Sequence, residues 1–156
     1  MIEIICGEKG KGKTKVLLDK VNSSVATAAG NVVYLDKSQK HMYELNNKVR
    51  LINVIDYPVT NGDEFLGFIC GIVSQDHDLE EMYLDSFLTI ASIDSDADIV
   101  KSMEKLDIIL YDYNNIKTER NNSNHAKLNG KVIYDTADEL KQDMLRSIRF
   151  IKKCLC

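Results

Sequence analysis

None of the four cysteines, Cys6, Cys70, Cys154 and Cys156, forms a C-x-x-C pair or any other regular metal-ligand spacing, so no cysteine-built metal centre is expected. No cleavable leader precedes the first strand-like run, and a reducing cytoplasm is the expected compartment. No apolar stretch approaches the roughly 18 to 20 residues of a spanning helix, so no membrane segment is expected. Excess basic charge is also missing. With a formal net charge of -4 and a pI near 5.4, the global field repels nucleic acid and anionic lipid, and any polyanion site has to be local. Proline occurs once, at Pro58, and no linker-like stretch or internal repeat divides the chain. At 156 residues, 44% hydrophobic and 28% charged, the chain reads as one soluble globular domain over 1–156.

What is present alternates. "IEIIC" is a short β-branched run closed by Gly7, and "KTKVLLDKVNSSVATAA" places Val16, Leu17, Val21 and Val25 at helical spacing. "NVVYLD" (31–36) reads as a buried strand, "KSQKHMYELNNK" as a helical stripe through Met42 and Leu45, and "VRLINVIDY" (49–57) as a third strand stopped by Pro58. Asp63 is placed to cap an apolar helix, "EFLGFICGIVSQ", in which Gly67 and Gly71 would allow close packing against the sheet or another helix. "EMYLDSFLTI" (81–90) begins as a strand ending at Asp85. Ile99, Met103, Leu106, Leu110 and Tyr113 then step by four, three, four and three as a helix, with a strand over 108–113 as the competing reading. "KTERNNSNHAKLNG" reads as an exposed loop, "KVIYD" as a last strand, and "ADELKQDMLRSIRFIKKCLC" as a terminal helix. Strands alternating with helices predict an α/β three-layer sandwich with a mostly parallel sheet of about five strands.

The chemistry is concentrated in residues 7–14, "GEKGKGKT". Gly7, Gly12, Lys13 and Thr14 satisfy G-x-x-x-x-G-K-[ST], and Gly10 adds another position where the backbone turns without a Cβ clash. In such a loop successive backbone N–H groups face phosphate oxygens and the following helix presents its N-terminus to them. Lys13 then reaches the β and γ phosphates and Thr14 binds Mg²⁺, while Glu8, Lys9, Lys11 and Lys15 complete the phosphate-facing stretch. The bland alternative is a lysine-rich surface turn between strand and helix.

Residues 1–30 resemble the opening of P-loop nucleoside triphosphatases. The extra lysines are similar to those of the signal-recognition and partition-type subgroup, which has lysine directly after its first glycine where this chain has Glu8. "GNVVYLDK", "RLINVIDY" and "DEFLGFICGIVSQDHDLEEMYLDSFLTI" resemble a group of small single-domain P-loop proteins of clostridia-like bacteria, some of them labelled twitching-motility ATPases. That label follows the P-loop alone, because this chain lacks the acidic boxes and second domain of pilus retraction motors. The resemblance implies the P-loop NTPase fold, and it favours Asp85 as the Walker B acid.

A P-loop enzyme needs an aspartate at the end of another strand to hold Mg²⁺ through water, and Asp36, Asp56 and Asp85 each end an apolar run. Asp36 lies where small-molecule kinases keep an acid that meets acceptor or metal. Ser86 follows Asp85 at the position where many ATPases carry a catalytic glutamate, so slow hydrolysis is expected. Glu80 and Glu81 read as surface charges, Arg146 and Arg149 as a solvated helix face, and Arg120 as a better candidate than Arg50 for phosphate contact. His41, His77 and His125 lie in polar segments without a partner pattern, and no metal beyond Mg²⁺ is implied.

The expected function is Mg²⁺-dependent ATP binding with slow hydrolysis. Lys13 and Asp85 are the catalytic candidates, and Thr14 and Asp85 the metal contacts. The alternatives are a nucleotide-sensing module that acts through a protein partner or its own oligomer, and a small-molecule kinase that uses Asp36. No N/T-K-x-D base-reading motif is present, and "LDKS" at 35–38 is a poor substitute, which tilts the base towards adenine.

Overall fold

The computed structural model describes residues 2–6, 10–120 and 131–136. Its strands are β1 (Ile2–Cys6), β2 (Asn31–Asp36), β3 (Val49–Asn53), β4 (Leu79–Leu84) and β5 (Lys131–Thr136), and its helices are α1 (Lys13–Val25), α2 (Gly62–Gln75), α3 (Phe87–Ile90) and α4 (Asp96–Arg120). The strands lie in one sheet in the order β1-β5-β4-β2-β3, and every adjacent pair is parallel. This is an α/β architecture in which the chain steps outward from β1 to β2 and β3 and then returns through β4 to β5.

Side-chain alternation explains why β2 reads as an unbroken apolar run. Val32 and Tyr34 face one layer with Tyr83, where Leu17, Leu18, Val21 and Val25 of α1 cover them. Val33 and Leu35 face the other with Met82 and Leu84, under Phe65, Ile69 and Val73 of α2 and Ile99, Met103 and Leu106 of α4. Both faces are dry, so neither spares a polar position within the strand. Phe65 and Phe87 meet edge-on at 5.9 Å and 70° in the second layer, an arrangement worth about 1 kcal/mol beyond its buried area.

Several local expectations are corrected. Val16 is exposed on α1, and Leu18 takes its place in the core. Residues 37–48 form turns rather than a helix, with Met42 exposed. The Asn22 side chain explains this, since it donates to the Glu44 carbonyl and accepts from the Asn46 N–H, both at 2.8 Å, and so pins the segment to α1. β3 ends at Asn53, because Val54–Asp56 turn as a 3-10 helix that the Asn53 amide closes on Asp56 at 2.7 Å. Asn61, not Asp63, caps α2 by accepting the Glu64 N–H at 2.9 Å, and Asp63 instead pairs with Lys101 and Lys105 of α4. Gly67 and Gly71 lie on the exposed face of α2, where an added Cβ would meet nothing within 4 Å among the described residues, so none of these packs closely against them.

The strand alternative over 108–113 fails, since α4 is helical throughout, and the polar residues 117–120 continue it instead of opening a loop. Glu80 and Glu81 are not plain surface charges. Glu80 accepts the Gly30 N–H at 2.6 Å, and Glu81 accepts the Tyr83 hydroxyl at 2.6 Å. The expected terminal helix, with Arg146 and Arg149, lies outside the described residues, as does most of the loop over 117–130 with His125.

Candidate functional site

The carboxyl ends of β1, β2 and β4 open on the same edge of the sheet. α1 departs over one face and α3 and α4 over the other, the arrangement that leaves a crevice at the point where the chain reverses its direction across the sheet. Three predicted elements converge there: the glycine turn before α1, Asp36 at the end of β2, and Asp85 directly after β4.

Of the predicted phosphate-facing stretch, Gly7, Glu8 and Lys9 lie outside the described residues. Gly10 (φ 83°) and Gly12 (φ 77°) both occupy the left-handed region, where a Cβ would be strained although space is open around them. Gly12 is the N-cap of α1, which has neither a side-chain cap nor an acidic residue in its first turn. The positive end of the helix is thus not neutralised by its own side chains. Lys13 and Thr14 are its first two residues and are half-buried, whereas Lys11 and Lys15 are exposed.

Thr14 reaches across to β4, its hydroxyl donating to Asp85 Oδ1 at 3.4 Å. Asp85 is 2% exposed and receives two further hydroxyls, Tyr34 at 2.9 Å on Oδ2 and Ser86 at 3.3 Å on Oδ1. Its own N–H donates to the Leu35 carbonyl at 2.9 Å, which extends the β2–β4 ladder by one step. Ser86 then takes a left-handed conformation (φ 55°), so the backbone breaks sharply into α3 directly behind the carboxylate.

Asp36 lies beside this group. The β2–β4 register pairs Tyr34 with Tyr83 and Leu35 with Leu84, which brings the two following aspartates to the same level on neighbouring strands. Asp36 is 1% exposed, and the Lys37 N–H donates to its Oδ1 at 2.6 Å, while its buried Oδ2 has no hydrogen-bond partner. Burial, and then the negative charge of Asp85, push its carboxyl above the ordinary value of 3.8.

Asp56 does not join them. It sits exposed on the 3-10 turn, bound to Asn53. Arg50 is exposed on the edge strand β3, and Arg120 is the last residue of α4. His41, which has no partner pattern in the sequence, does reach the site: one ligand atom each from Asp36, His41 and Asp85 lie within 4.8 Å of one another. His77 stays exposed. Sequence reasoning also missed Tyr34 as a donor to Asp85. A signal existed, because Tyr-Leu-Asp occurs twice, at 34–36 and 83–85, and these two tripeptides are the ones that align.

An Mg²⁺ ion takes oxygen ligands and keeps several waters, and the Thr14 hydroxyl beside the Asp85 carboxylate is a donor pair of that kind. Asp36 Oδ2 is a second buried oxygen beside this pair and has no hydrogen-bond partner. No helix among the described residues is long and apolar enough to cross a membrane. No protein-family model matches the chain, and no curated protein matches it.

Proposed function

We propose that this crevice binds a nucleoside triphosphate with Mg²⁺, as a P-loop NTPase domain does, with ATP as the favoured nucleotide and the cytoplasm as its compartment. The observation that carries this reading is the Thr14–Asp85 contact: the residue that ends the G-x-x-x-x-G-K-[ST] pattern lies against a buried strand-end aspartate 71 positions away. The left-handed glycines and the uncapped start of α1 support a phosphate at the same place. Gly10 and Gly12 would let backbone N–H groups turn towards phosphate oxygens, with Gly7, Glu8, Lys9, Lys11 and Lys15 completing the stretch. Lys13 would neutralise the terminal phosphates. Thr14 would contact the ion directly, and Asp85 through water. Bound there, the ion would offset charge on the phosphates.

Turnover is expected to be slow. The residue after Asp85 is Ser86, whose hydroxyl is committed to that carboxylate and cannot take a proton from an attacking water as a glutamate would. Nucleotide sensing through a protein partner or a homo-oligomer is therefore the companion reading. A kinase reading draws on the bare Oδ2 of Asp36 and requires phosphate transfer only when an acceptor is added.

The test is calorimetric titration of Mg²⁺-ATP and Mg²⁺-GTP into the wild type and Lys13→Ala, with phosphate release followed on the same samples. Binding that is lost in the variant supports the reading, and the phosphate trace separates hydrolase from sensor. Absence of binding by either nucleotide overturns it.

A further inference from the structure

The second half of the crevice has an unmet need that the nucleotide reading does not use. Asp36 Oδ2 and His41 Nε2 are both buried without a hydrogen-bond partner, and Asp85 completes a set of ligand atoms within 4.8 Å. The His41 ring is held from behind, with Nδ1 2.7 Å from the exposed Glu44 carboxylate. A carboxylate can only accept, so Nδ1 carries a proton and the neutral ring turns its Nε2 lone pair inward. Two acceptor atoms and a second carboxylate are thereby directed at one another, and proteins rarely leave such groups unsatisfied.

We propose that Asp36, His41 and Asp85 bind a divalent transition-metal cation of the Mn²⁺ to Zn²⁺ series, with Glu44 as the positioning residue for His41. A divalent cation satisfies all three acceptors together. An imidazole between two carboxylates is a borderline donor set, which favours these ions over Mg²⁺ and Ca²⁺, whose sites are built from oxygen. Ligands on one ion at about 2.1 Å lie about 3.4 Å from each other, so binding must draw the three side chains inward by about an ångström. His41 sits in a turn segment, not in a helix or strand. The site shares only Asp85 with the proposed Mg²⁺–nucleotide position and needs neither Lys13 nor a nucleotide.

The experiment is titration of Mn²⁺ into the full chain without nucleotide, with the free ion followed by electron paramagnetic resonance. One Mn²⁺ per chain is expected, retained against about a hundredfold excess of Mg²⁺. Affinity should fall by at least about tenfold in His41→Gln, Asp36→Asn and Glu44→Gln and stay unchanged in His77→Gln. Spin-echo modulation from ¹⁵N-labelled histidine, read on the wild type, should show an imidazole on the metal, so the result stands even where a variant fails to fold. No bound Mn²⁺, or bound Mn²⁺ without imidazole modulation, overturns the proposal.

Discussion

β2 and β4 end in the same three residues, Tyr-Leu-Asp, aligned side by side, yet their aspartates live under different conditions. Asp85 collects hydroxyls from α1, from β2 and from its own successor, whereas Asp36 has a single backbone donor and one bare oxygen. The two tyrosines diverge as well. Tyr34 donates to Asp85, while Tyr83 donates to Glu81 and bonds Ser24, and burial followed by the Glu81 contact raises its phenol above the ordinary range. Identical local sequence on neighbouring strands therefore acquires its chemistry from what the tertiary fold brings to each, not from the tripeptide.

The widest separation should appear in catalysis. With Mg²⁺-ATP, Asp85→Asn should lower phosphate release at least about tenfold, and Asp36→Asn should leave it within about threefold. Equal losses in single-turnover assays would erase the proposed division of labour. The next difference lies in stability. Tyr34→Phe strips a hydroxyl from a buried carboxylate and should cost about 1.5–3 kcal/mol in urea unfolding, against about 1 kcal/mol for Ser86→Ala, whose bond is longer and less buried.

A smaller effect of opposite sign belongs to Asp36. Its folded-state carboxyl titrates above 3.8, so its contribution favours folding while protonated and is lost as pH rises through the raised value. In chelator-treated protein, Asp36→Asn should accordingly gain stability at neutral pH, a gain that shrinks as pH falls towards 3.8. Unfolding curves across that interval provide the check.

The faintest effect is at Asp63, an exposed carboxylate that hydrogen bonds to Lys105 and Lys101 hold below 3.8. The contribution of this group is present above 3.8 and disappears as pH falls below it, and Asp63→Asn should barely move the neutral-pH melting temperature, since exposed pairs are weak.

The α/β class and the parallel sheet were legible because strands covered on both faces must be continuously apolar, and "NVVYLD" and "EMYLD" say so. Asp36 and Asp85 were legible as strand-end acids for the same reason. Their adjacency was not, since it depends on strand order, which periodicity does not encode. His41 was invisible for a related cause: two apolar residues suggested a helix, while the actual turns are imposed by Asn22 from another element. Asp56 was misplaced because its apolar neighbours Val54 and Ile55 belong to a 3-10 turn and not to the strand before it.

The sheet order also governs how the molecule must assemble. Among the described residues β1 lies at an edge of the sheet and pairs with β5 alone, with Ile2 opposite Val132, so β1 waits for the last strand described. The β3–β2–β4 portion can register as soon as residue 84 has emerged, with α1 packed on β2 and Tyr83, whereas the pairing of β1 needs a closure spanning most of the chain. A nascent or truncated chain ending before residue 131 should therefore carry the paired aspartates and α1 in place while β1 remains without its partner strand.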